Sequence, residues 1–180
     1  MMVAISISAL LLYVGQIWSL QSKVKVRETR TMLVLEQEFS KFLSDPDNLR
    51  KWIRGLSEVN IASAHESRIA FVGQLLSKGR KTQFVGKIEM APNMTSIEIE
   101  DDSSLVRRIV RFEGNKSSTE VELELVSYKT SAWGNLMHLL SSSTVQTGIQ
   151  HELRYLGLSL STEIQKQTEA SKKTMLPTDS

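Results

Sequence analysis

The sequence predicts an α+β domain: a seven-stranded antiparallel sheet wrapped around a long C-terminal helix, with an N-terminal transmembrane helix ahead of it. Three observations carry this. Between Glu58 and Thr130 apolar–polar alternation is broken by turn residues at intervals of roughly ten, the spacing of an antiparallel meander. From about Ser143 to Lys166 the apolar residues keep to one helical face. From Met1 to Ser22 no side chain is charged.

The helix is the organising element. Val145, Ile149, Leu153, Leu156, Leu160 and Ile164 recur at steps of three or four, which aligns them at 100° per residue. A single amphipathic helix of this length needs a partner surface, and the sheet is the large one the chain offers.

The totals bound the function. The 180 residues, 41% hydrophobic and 23% charged, suit one globular domain plus an appendage. With 22 Lys and Arg against 20 Asp and Glu, the net charge of +2 offers no cationic excess for a nucleic-acid backbone, so no nucleic-acid partner is expected. The absence of cysteine removes disulfides, thiolate catalysis and zinc–thiolate or iron–sulfur sites.

Val3 to Leu20 is mostly apolar, and roughly 20 helical residues span about the 30 Å of a hydrocarbon core. Residues 1–22 are therefore expected to be a single-pass anchor, with Trp18 near the headgroups and Lys23, Lys25, Arg27 and Arg30 just beyond. A cleavable signal peptide would carry its basic residues before the apolar run, whereas here they follow it. The positive-inside tendency places the domain on the cytoplasmic side.

Lys23 to Thr31 alternates valine with charge and reads as a first strand. Leu33 to Leu43 has helical spacing. A second short helix starts at Ser44-Asp45-Pro46-Asp47, where Asp45 caps and Pro46 suits the first turn, and stops at Gly55. Strands are then expected near Glu58 to Glu66, Arg68 to Leu76, Thr82 to Met90, Thr95 to Glu100, Leu105 to Phe112 and Thr119 to Tyr128. Phe84, Gly86, Ile88 and Met90 share one face, and Val121, Leu123 and Leu125 oppose Glu120, Glu122 and Glu124. The sheet thus has a dry and a wet face, with the carboxylate runs on solvated surface.

Arg108 is the ambiguous residue. If Val106, Val110 and Phe112 point inward it does too, and must then pair, reach a rim or meet a polar ligand. The opposite register, with Leu105, Arg107, Ile109 and Arg111 inward, fits nearly as well. His138 and Ser142, extrapolated back along the last helix, fall on the apolar stripe, although Ser141-Ser142-Ser143-Thr144 offers several caps that would break the element there. Residues 167–180 are polar and expected to be a disordered tail.

Three words, FSKFLSDPDNLRKWIRGLSEV at Phe39 to Val59, TQFVGKIEM at Thr82 to Met90 and IQHELRYLGLSL at Ile149 to Leu160, resemble the START-like or SRPBCC superfamily. Its helix-grip members include polyketide cyclases and dehydratases, coenzyme-Q-binding proteins and proteins similar to a small subunit of carbon monoxide dehydrogenase. The resemblance covers residues 23–166 and implies an apolar cavity between sheet and helix. Many members lack a preceding membrane helix, so the departure favours a tethered domain over a diffusing carrier.

No phosphate loop, nucleophile elbow or metal-binding spacing is present; His65, His138 and His151 match no ligand pattern, and no metal or cofactor is expected. The leading expectation is a membrane-anchored binding module for a hydrophobic small molecule, a lipid, isoprenoid or quinone. Its walls would be Trp52, Phe71, Phe84, Ile88, Met90, Ile97, Val110, Phe112 and Val145, with Arg108 and His138 as polar contacts. The rivals are a cyclase- or dehydratase-type enzyme and an assembly factor docking a membrane protein partner.

Overall fold

The computed structural model describes residues 24–77, 79–129 and 142–175. In order they form β1 (Val24–Met32), α1 (Glu36–Ser44), a 3-10 turn (Pro46–Asn48), α2 (Leu49–Trp52), β2 (Leu56–His65), β3 (Arg68–Ser77), β4 (Arg80–Ala91), β5 (Met94–Asp101), β6 (Ser104–Gly114), β7 (Thr119–Lys129) and α3 (Ser142–Met175). Among these residues the strands make one seven-stranded antiparallel sheet in the order β1-β7-β6-β5-β4-β3-β2. The strands from β2 to β7 follow one another as a meander, and β1 closes back on β7.

Local chemistry explains the breaks. Asp45 accepts the Asp47 backbone N–H at 3.0 Å with Pro46 in the first turn, and Asn48 Nδ2 donates to the Phe42 carbonyl at 3.0 Å, tying the two helices together. Gly55 stands at φ +89°, where an L side chain is strained, and its carbonyl accepts the Leu76 N–H at 2.7 Å. Asp101 accepts the N–H groups of Ser103 and Ser104 at 2.7 and 2.8 Å, and Asn115 those of Ser117 and Ser118 at 3.0 and 2.9 Å. Both are side-chain turns that return the chain into the next strand.

One face of the sheet is dry. Phe84, Ile88, Ile97, Val110, Val121 and Leu123 are buried in a single core. Against it lies α3, which packs on β1 and α2. Ile149, Leu153, Leu156 and Leu160 are buried, with Val145 and Ile164 half-buried at the ends of the stripe. Polar ties fix the helix along its length: Gln146 and Gln150 donate to Glu28 of β1, Ser159 donates to the Lys51 carbonyl at 2.9 Å, and Lys51 Nζ meets Glu163 at 3.0 Å.

The helix runs on to Met175, so the tail expected to be disordered from residue 167 is helical over its first part. Its Glu, Ala and Lys residues are good helix formers, and once nucleated by the packed turns a helix propagates without further burial. Among the described residues no helix is long and apolar enough to cross a membrane. The expected anchor, residues 1–22, lies outside them.

Candidate ligand-binding site

The strand alternation delivers most of the expected wall to one place. Trp52 from α2 and Phe71, Phe84, Ile88, Ile97, Val110 and Phe112 from β3 to β6 belong to one buried cluster, with Met90 and Val145 partly buried against it. Aromatic contacts order it: Phe71 meets Phe84 edge-on at 5.7 Å between centroids, and Phe112 meets Phe39 of α1 at 5.1 Å. His138 lies outside the described residues.

Arg108 faces inward, which settles the register of β6 in favour of Val106, Val110 and Phe112. Its partner is Glu152 of α3, with Nε to Oε2 and Nη2 to Oε1 both 2.7 Å, a two-pronged charge-assisted contact between sheet and helix. Sequence reasoning missed Glu152. The signal was present: it stands three residues after Ile149 and four before Leu156, on the apolar stripe itself. A carboxylate there needs a cation, and Arg108 is the one the sheet supplies.

The opposite face carries alternating columns of charge. Arg27 of β1 reaches Glu122 and Glu124 of β7; Arg111 of β6 reaches the same pair; Arg107 of β6 contacts Glu98 of β5, which Lys87 of β4 also holds at 2.9 Å. The expectation that Glu120, Glu122 and Glu124 line solvated surface needs one correction. Glu124 is only 3% exposed, because the long side chains of Lys25, Arg27 and Arg111 lie over it from both neighbouring strands. Burial works to raise its pKa, but hydrogen bonds from those three cations prevail and hold it at about 2. At Glu98 burial is likewise opposed by Lys87 and Arg107, and the net direction is downward.

The two larger hollows lined by described residues open outside the helix–sheet core. One of about 720 Å³ lies along β2 to β5 among Glu58, Asn60, Gln83, Val85 and Glu100. The other, about 420 Å³, opens where the turn after α2 meets α3. Among the described residues no cluster of His, Asp and Glu could hold a metal ion.

No family model matches the chain, and no curated protein sequence does. Solved structures match well. An aromatase/cyclase from Streptomyces sp. R1128 superposes with a TM-score of 0.67 at 9% identity, covering 79% of this chain and 96% of that one. A Thermus thermophilus protein gives 0.64 at 17% identity, covering 77% and 98%, and a START superfamily protein from Mycobacterium smegmatis 0.60 at 12%, covering 79% and 98%. Together with the sheet order and the closing helix, these matches define a START-like, SRPBCC helix-grip fold. At such identities the likeness speaks for the fold alone.

Proposed function

We propose that the domain binds a hydrophobic small molecule, of the lipid, isoprenoid or quinone kind, between α3 and the inner face of β3 to β6. The observation that carries this reading is the continuous apolar inner face from Phe71 to Val110, which faces a helix that rests on β1 and α2. Apolar area removed from water, at about 25 cal/mol per Å² before the costs of association, would drive binding. Residues 1–22 would tether the domain to a membrane, on its cytoplasmic side, where such a ligand resides. No reaction is assigned, since the one described inward guanidinium is already held by both oxygens of Glu152. The aromatase/cyclase likeness keeps a ring-forming substrate among the ligands to be tested.

The complete side-chain burial of Ile88, Ile97 and Val110 favours a second reading, a filled core whose domain docks a protein at the membrane. One preparation decides between them. The full chain is extracted from its host membranes in neutral detergent and analysed by native mass spectrometry with lipid extraction. A stoichiometric co-purifying quinone or lipid is expected. An empty chain associated with a defined protein would replace the first reading by the second.

A further inference from the structure

The hollow between α2 and α3 has a chemistry of its own. Arg50, Lys51 and Arg54 from one side and His151 and Tyr155 from the other line its volume of about 420 Å³, and no carboxylate lines it. The cations are unequally occupied. Lys51 is paired with Glu163 at 3.0 Å, and Arg50 stands 3.4 Å from Asp47 in an exposed contact, whereas Arg54 has no acidic partner among the described residues. Trp52, Ile53 and Leu56 also line the hollow and are part of the same apolar core as the inner sheet face. The indole N–H of Trp52 is buried and has no acceptor among the described residues. Beside the hollow, Tyr155 and Leu158 are exposed on α3.

We infer that this hollow receives the anionic head, a phosphate monoester or carboxylate, of an amphiphile whose apolar part is held by the core. The inference rests on the ligand-binding reading above and names the polar end of that ligand. Arginine forks match the oxygens of such a head, and the absence of lining carboxylates leaves nothing to repel it. An indole N–H can only donate, and without an acceptor it bears a desolvation cost that a ligand oxygen would relieve. That nitrogen is covered in this structure, so the head group engages it as the long side chains at the rim move aside. Tyr155 and Leu158 offer apolar surface where a chain would enter.

The test uses the full chain in dodecyl maltoside with three probes: oleoyl lysophosphatidic acid, monoolein of the same chain length, and inorganic phosphate. The acid should bind roughly tenfold tighter than monoolein, about 1.4 kcal/mol. The double variant R50Q/R54Q, at exposed positions and checked for folding by circular dichroism, should lose that preference. The Trp52 indole resonance, assigned with Trp52→Phe, should move with the acid and stay with monoolein. Displacement of the acid by inorganic phosphate would make the anion alone the ligand; failure to displace would make it a lipid head. Equal affinities, or a preference that survives R50Q/R54Q, would overturn the inference while leaving the ligand-binding reading in place. No binding of either lipid would overturn both.

Discussion

Arg108 of β6 and Glu152 of α3 form a two-pronged ion pair, 2.7 Å at each prong, buried between the sheet and the helix it holds. Both charges have been taken out of water, so each depends on the other. Removing one partner, as in Glu152→Ala, should destabilise the protein by about 3–5 kcal/mol, because a bare guanidinium then stays in the core. Replacing both, as Arg108→Met with Glu152→Leu, should restore most of that loss. Urea unfolding of the two variants beside the parent checks this, and a double variant as unstable as the single would show that the pair matters for more than mutual neutralisation.

Glu124 ties stability to acid. Its pKa is about 2 in the folded protein against 4.5 ordinarily, so the folded state favours its charged form. The contribution is therefore complete above pH 4.5 and is lost as pH falls from there through about 2. Glu124→Gln should be less stable at neutral pH and lose less on acidification across that window. Unfolding curves at stepped pH would contradict the account if the two proteins lost stability in parallel.

Much of this architecture was legible because alternation is local. Phe84, Ile88 and Met90 could be placed on the dry face of β4 from their spacing, as could Val121, Leu123 and Leu125 on β7. Arg108 could not, because Leu105 and Ile109 make the other face of β6 nearly as apolar. What settles it is a carboxylate 44 residues away on a helix read through its apolar residues alone. The burial of Glu124 depends on the reach of cations from two adjoining strands, and the basic hollow on the approach of α2 to α3. No periodicity within one segment encodes either. Helical propensity beyond Ile164 is likewise masked by polarity, although an exposed helix needs no apolar face once begun.

Thr119 is fully buried at the start of β7, and its hydroxyl donates to the Val34 carbonyl at 2.7 Å across the β1–α1 link. Thr119→Val keeps the shape and removes the donor, leaving a buried carbonyl short of a partner. It should cost about 1–3 kcal/mol. Thr119→Ser keeps the donor and loses a methyl, at about 1 kcal/mol for the lost burial. Thermal unfolding should rank valine below serine; the reverse order would mean that the methyl, and not the hydrogen bond, secures this corner.

Gly86 sits on the inner face of β4 where the backbone and an aromatic ring come closest. A Cβ added there would lie 2.4 Å from Cζ of Phe71, 2.6 Å from its Cε2 and 2.9 Å from the Glu98 carbonyl oxygen. Phe71 is 1% exposed and held edge-on against Phe84, so its ring has little room to retreat. Gly86→Ala should therefore destabilise by about 1–3 kcal/mol, the usual cost of overpacking. Phe71→Leu alone opens space at its own cost, but combined with Gly86→Ala it should recover part of the loss, since the ring clash disappears and the carbonyl contact remains. A double-mutant cycle by urea unfolding measures that coupling. If the two losses simply add, the ring is not what excludes the methyl, and the close approach of β5 at Glu98 must be the constraint that requires glycine.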